Sequence, residues 1–218
     1  MKKDFWLERW EKKEIGFHQS EINPHLLQYW QEMSAQGSGE VFVPLCGKTL
    51  DMVWLREQGH PVFGVELSEI AVREFFHENG YAALLVKEES HSMADKIRIC
   101  CGDFFALTRD DLKQVKSVYD RASLVALPPQ MRDQYVQHLI QILPPATEIL
   151  LVTFDYPQEQ MSGPPFAVSA DDVERLFAPH ADIRLLANID VLPDNPRFQA
   201  RGISRLQENI YLLKLMAV

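Results

Sequence analysis

Four stretches carry the residue types from which a ligand site can be built: Pro44-Leu45-Cys46-Gly47, Glu66, Gly102-Asp103 and Asp120-Arg121. Each follows a short apolar run of the kind that suits a buried strand, so each falls at the carboxyl end of an expected strand. In open α/β sheets, ligands bind in the crevice outside those ends, and an acid closing the second strand accepts hydrogen bonds from ribose hydroxyls. Gly47 and Glu66 have about the separation that this layout requires. A carboxylate at that place suits a ribose diol and repels a 2′-phosphate. Asp103 or its neighbouring amides can meet an adenine edge, Leu45 and Phe104 offer apolar walls, and Arg121 offers a guanidinium. Singly, each of these residues reads as structural; at four successive strand ends they read as one crevice.

Three nucleotide-like ligands compete for it. Gly47-Lys48-Thr49 resembles the end of a triphosphate-binding loop, but the residue five places before Gly47 is Phe42 where that motif requires glycine. A dinucleotide needs the G-x-G-x-x-G turn, and Gly47 stands alone. An adenosyl ligand without phosphates needs only the ribose acid, polar groups on the adenine side and apolar walls, which is the description of S-adenosylmethionine. No side chain stands out as a general base, and His18, His60 and His77 are too scattered for a metal site. Cys46, Cys100 and Cys101 read as small packing residues.

The elements that must position these residues alternate between strand and helix. Val41–Val43 is a strand, Thr49 caps a helix running to Gln58 with Gly59 as its stop, and Pro61–Val65 is a second strand closing on Glu66. Ser68 caps a helix that ends at Asn79-Gly80. Residues 86–96 are polar and mixed and read as a loop. Further strands are expected at Ile97–Cys101, Ser117–Asp120, Glu148–Phe154, Ile183–Val191 and Asn209–Met216. Helices are expected from Pro128-Pro129 to Leu143 and, capped by Ser169, over Ala170–Phe177. Ahead of the first strand, an aromatic helix begins near Phe5, Asn23-Pro24 opens another to about Ser34, and Gln36-Gly37-Ser38-Gly39 links onward. The pattern predicts a three-layer α/β fold: a mostly parallel sheet with helices on both faces.

A chain of 218 residues with 46% hydrophobic and 24% charged residues is expected to form a single domain, residues 1–218. A formal charge of -9 disfavours nucleic acid and anionic membranes as partners. No run approaches the roughly 18 apolar residues of a membrane span, no secretory leader is visible, and three cysteines without CxxC spacing fit a reducing cytoplasm.

Pro44 to Met52 together with Gly64-Val65-Glu66-Leu67-Ser68 resembles the thiopurine S-methyltransferase family in its bacterial form. The stretches Gly16-Phe17-His18-Gln19, Tyr119 to Leu127, Gly163-Pro164-Pro165-Phe166 and Asn209 to Leu213 fit the same pattern, and the likeness covers nearly the whole chain. It implies a seven-stranded, Rossmann-like class I methyltransferase with the last strand antiparallel. It also implies S-adenosylmethionine as cofactor and a small aromatic or heterocyclic thiol as substrate, with selenium and tellurium compounds as further acceptors. By position it implies cofactor contacts from Trp10, Leu45, Glu66, Gly102, Asp103 and Arg121, to which the residues themselves add Gly47 and Phe104, and it implies substrate contacts from Phe17, Arg121 and Arg197. A monomer is expected. The segment 1–35, and Phe5 to Phe17 above all, is expected to cover the active site, either as a lid or as a permanently packed helix. A binding protein without turnover is the alternative.

Overall fold

The computed structural model describes residues 3–34, 39–81, 86–88 and 91–217, so the expected linker residues 36–38 lie outside the described part. Nine strands form one sheet. In chain order they are β1 (Glu40–Val43), β2 (Val62–Glu66), β3 (Val86–Glu88), β4 (His91–Ala94), β5 (Ile97–Cys101), β6 (Val115–Arg121), β7 (Glu148–Asp155), β8 (Ala181–Asp190) and β9 (Gln207–Leu215). The helices are α1 (Lys3–Glu11), α2 (Pro24–Tyr29), α3 (Asp51–Glu57), α4 (Glu69–Glu78), α5 (Pro129–Ile142), α6 (Ala170–Phe177) and α7 (Pro196–Gln199). The sheet order is β3-β4-β5-β2-β1-β6-β7-β9-β8. β5, β2, β1, β6 and β7 run parallel, while β9 is antiparallel to both neighbours.

The expected seven strands are thus present with the last one antiparallel, and the sheet exceeds expectation by two. Residues 86–96, read as a loop, hold β3 and β4, an antiparallel pair that extends the sheet beyond β5. The signal was hidden because only alternate residues of β4, Ser92 and Ala94, are buried, and neither is a strong strand former.

Side chains of β1 leave on alternate faces, as a strand's geometry demands. Val41 and Val43 enter a core with Leu26, Met52, Leu55, Val72, Phe75 and Phe76, beneath α2, α3 and α4. Phe42 enters the opposite core with Tyr135, Leu139, Val173 and Phe177, beneath α5 and α6. The helix starts follow local capping. Asn23 accepts from the His25 amide, Ser68 from Ala71, and Ser169 forms a capping box with Asp172. α3 begins two residues later than expected. Leu50 occupies the cap position, and Thr49 Oγ1 accepts from the Asp51 amide at 3.3 Å. The expected helix to Ser34 is shorter, α2 passing into a single 3-10 turn, Trp30–Glu32.

The strand ends are tied to one another. Ser123 Oγ, after β6, donates to the Pro44 carbonyl, after β1, at 2.7 Å. The Phe166 amide donates to the Val125 carbonyl at 2.7 Å, which brings the loop after β7 to the same edge. That loop is further pinned by buried Arg132, whose guanidinium donates to the carbonyls of Leu127 and Ala167. No helix among the described residues is long and apolar enough to cross a membrane.

Candidate active site

The loop after β1 reverses the chain with two residues in left-handed backbone, Leu45 at φ 44° and Gly47 at φ 54°. Glycine accepts that conformation readily, whereas leucine is strained by it. Gly47 also meets a steric limit, because a Cβ there would lie 3.3 Å from the Trp10 indole. Trp10, on α1, therefore rests directly on this loop and is buried.

At the end of β2, Glu66 Oε2 accepts from the Gly47 amide at 2.9 Å and Oε1 from the Ser68 amide at 2.7 Å. The Leu67 amide also bonds this carboxylate, so backbone amides fix its orientation at the strand end. Burial pushes the Glu66 carboxyl above its usual range, against the amides of Ser68 and Gly47, which favour the charged form. On the β5 side, the Gly102 amide donates to the Glu66 carbonyl at 2.9 Å. Asp103 caps a short turn through the Phe105 amide and pairs with Lys3 of α1, Nζ to Oδ2, at 2.6 Å.

The structure thus gathers Trp10, Gly47, Glu66, Gly102 and Asp103 at the ends of β1, β2 and β5. Phe104 departs from expectation. It is 2% exposed, stacks on Phe42, and packs against Tyr135 at a ring separation of 4.8 Å. The turn after Asp103 drives this ring into the core beneath α5, so its side chain forms no wall of the crevice.

Arg121 ends β6, is half-buried, and has no ion-pair partner among the described residues. A guanidinium held in that way suits an anionic ligand group. Its neighbour Asp120 faces the other side of the sheet. Fully buried, it accepts from Tyr135 Oη at 2.7 Å and from the Leu124 amide at 3.3 Å, and burial raises its carboxyl above the usual range. The Asp120-Arg121 pair therefore divides into an internal brace and a crevice cation.

Phe17 turns back edge-on against Trp6 and Trp10, with ring centroids 5.5 and 5.6 Å away, and is partly exposed. Arg197, on the short α7, reaches this segment through its Nη1, which donates to the Gly16 carbonyl at 3.0 Å. His18 is half-buried, and its ring makes no hydrogen bond to another described residue. Burial and the nearby charge of Lys48 lower its pKa, so it is neutral near neutral pH. Cys46 is buried, and burial together with the Glu66 charge raises its thiol well above the ordinary range, which makes it a poor nucleophile. No group of three His, Cys, Asp or Glu side chains that could hold a metal occurs among the described residues.

Beyond the discarded triphosphate loop, the sequence assigned Lys48 no role. Its ammonium turns away from the crevice to α4, 2.8 Å from Glu74 Oε2 and 2.7 Å from Glu78 Oε1. The available signal was the pair of acids four residues apart on one helix face.

A family model described as "Thiopurine S-methyltransferase (TPMT)" matches residues 1–216. The thiopurine S-methyltransferase of Nitrosospira multiformis is 61% identical over 98% of this chain and 98% of its own length. That of Methylococcus capsulatus is 47% identical over 100% of this chain and 99% of its own. Among solved structures, the Burkholderia thailandensis 1,6-didemethyltoxoflavin-N1-methyltransferase, with S-adenosylhomocysteine bound, superposes at a TM-score of 0.67, with 14% identity over 98% of this chain and 87% of that one. A methyltransferase from Anabaena variabilis gives 0.64, with 15% identity over 98% and 94%. At those identities the two structures speak to the fold alone.

Proposed function

The chain belongs to the thiopurine S-methyltransferase family, and from that premise we propose that its crevice aligns a flat heteroaromatic thiol with S-adenosylmethionine for methylation at sulfur. The observation that carries the site assignment is Glu66, a buried carboxylate at the end of β2 oriented by the backbone amides of Gly47, Leu67 and Ser68. S-adenosylmethionine supplies a methyl on a positively charged sulfur. The chain's own residues bind, orient and exclude water.

Glu66 takes the ribose diol, Gly102 and Asp103 border the adenine, Leu45 and Trp10 close over the loop, and Arg121 offers its guanidinium to a carboxylate or to the acceptor thiolate. A cation beside a thiol lowers its pKa, and heteroaromatic thiols already ionise near neutral pH, so no strong general base is needed. The new carbon–sulfur bond forms as the old one breaks, and the thiol proton leaves to solvent. Alignment and a dry pocket are the enzyme's main contributions. Phe17 stacks the acceptor ring, and Arg197 steadies that segment through the Gly16 carbonyl.

A radiolabelled methyl-transfer assay tests this reading. Aromatic and heterocyclic thiols are expected to accept methyl at sulfur and catechols hardly at all; magnesium-dependent catechol turnover at matching rates would overturn it. Selenium and tellurium anions share the soft-nucleophile character and belong in the same panel. Absence of transfer to every acceptor, with S-adenosylhomocysteine still bound, would favour a binding protein without turnover. The formal charge of -9 supports a small-molecule partner over nucleic acid. Three cysteines without CxxC spacing support a reducing cytoplasm. A monomer remains our reading of the assembly.

The segment 1–35 is read as a cover closed over the loop of Gly47. Within it, α1 meets the body of the fold through Trp10 on Gly47 and the Lys3–Asp103 pair, and Glu11, Lys12, Lys13 and Glu14 are exposed. Leu26, Trp30 and Met33, by contrast, are built into the core, so the covering part is the stretch up to Phe17. Hydrogen exchange over residues 3–20 is expected to be fast without ligand and slowed when S-adenosylhomocysteine binds. Equal protection in both states would identify a fixed scaffold.

A further inference from the structure

The loop that carries Gly47 is strained at Leu45, and strained backbone persists only where its surroundings over-determine it. Three anchors do so here. Ser123 Oγ holds the Pro44 carbonyl at 2.7 Å. The amides of Cys46 and Gly47 are held by Val65 O and Glu66 Oε2, at 3.0 and 2.9 Å. Lys48, 8% exposed, places its ammonium between Glu74 and Glu78, at 2.8 and 2.7 Å.

The third anchor has a particular geometry. Glu74 and Glu78 lie one turn apart on α4, the helix capped by Ser68, and the Ser68 amide holds the other oxygen of Glu66 at 2.7 Å. The contacts therefore close a ring: Glu66 to Gly47, along the chain to Lys48, across to α4, back down that helix to Ser68, and again to Glu66. Of the three anchors, only the Lys48 one consists of charged groups on both sides, and it sits next to the amide that orients the carboxylate. Lysine in Gly47-Lys48-Thr49 is thus committed to two acids and is withdrawn from any phosphate.

We infer that Lys48 is a positioning residue for cofactor binding: clamped to Glu74 and Glu78, it holds the Gly47 amide against Glu66 and so fixes the carboxylate in the orientation that receives the ribose diol. The inference rests on the assignment of Glu66 to that diol. Groups that hold a binding residue in place act through preorganisation, so their loss is felt in affinity beyond any change in fold stability.

The test is a double-mutant cycle read by calorimetric titration with S-adenosylhomocysteine, with thermal melts in parallel. Lys48→Met is expected to weaken binding about tenfold in the otherwise natural chain and less than about twofold on a Glu66→Ala background. Lys48→Arg, which keeps the charge, is expected to recover most of the affinity. Unchanged affinity in Lys48→Met, whatever its melting temperature, overturns the inference. So does an equal loss in both backgrounds, which would mean that Lys48 does not act through Glu66. Natural affinity in Glu66→Ala alone would instead overturn the diol assignment. If Lys48→Met does not fold, the Glu74→Gln/Glu78→Gln variant releases the same ammonium without removing it and is expected to show the same tenfold loss; unchanged affinity there overturns the inference equally.

Discussion

Replacing Glu66 with alanine is expected to reduce affinity for S-adenosylmethionine by roughly a hundredfold. The proposed role has the carboxylate accept from both hydroxyls of a diol, and a pair of charge-assisted hydrogen bonds is worth about 2–3 kcal/mol. Calorimetry on the folded variant reads this directly, and an affinity equal to that of the natural chain would remove Glu66 from the diol. The same carboxylate links binding to pH. Its burial raises the folded pKa above the ordinary 4.5. In the ligand-free fold this group contributes stability that is fully present below 4.5 and is lost as pH rises through the raised value. Cofactor affinity runs the other way, because the diol donates to the charged form. Affinity is expected to fall as pH drops from neutrality through that raised value, sooner than an ordinary glutamate would allow.

Asp120→Ala is expected to destabilise the fold by about 3 kcal/mol, measured as a lower denaturant midpoint at unchanged slope. The substitution strands the buried Tyr135 hydroxyl and the Leu124 amide, both of which donate to Asp120. The turn it braces contains Ser123, whose hydroxyl ties the β6 end to Pro44, so the crevice loosens along with the core. Asp120→Asn keeps an oxygen acceptor for Tyr135 and is expected to lose less. A midpoint within error of the natural chain for Asp120→Ala would mean that the brace contributes nothing.

The β1–α3–β2 unit was legible because its signals are local. Apolar runs, a turn at Gly47 and an acid ending the second strand are each visible within a few residues, as is the cap at Ser68 that opens the next helix. What escaped depends on direction in space. Asp120 and Arg121 are adjacent letters, but successive side chains of a strand leave on opposite faces, and one went to the core beneath α5 while the other stayed at the crevice. Phe104 and Phe105 are the same residue type in succession; only the turn set by Asp103 decides that Phe104 is the one driven inward. β4 was invisible because its buried positions are serine and alanine. Lys48 entered only as part of a phosphate loop that was set aside, because its partners lie 26 and 30 residues away on another helix, a pairing that spacing alone does not encode. The short α7 around Arg197 lies between the expected strands Ile183–Val191 and Asn209–Met216, where no helix was expected.

The contact between Trp10 and Gly47 makes the protein its own optical gauge. Of its four tryptophans, Trp30 is buried and hydrogen-bonded to His60, at 3.3 Å from indole nitrogen to ring nitrogen, and Trp54 is carried on α3. The other two belong to α1, and Trp10 rests on the loop that meets the ligand. An indole shielded from water emits at shorter wavelength than a wetted one, so the colour of the emission follows whether Trp10 is seated. Because Trp6 and Trp10 both meet the Phe17 ring, an acceptor that displaces that ring changes their surroundings as well. With the site as proposed, cofactor and acceptor are each expected to leave a mark on the same unlabelled signal.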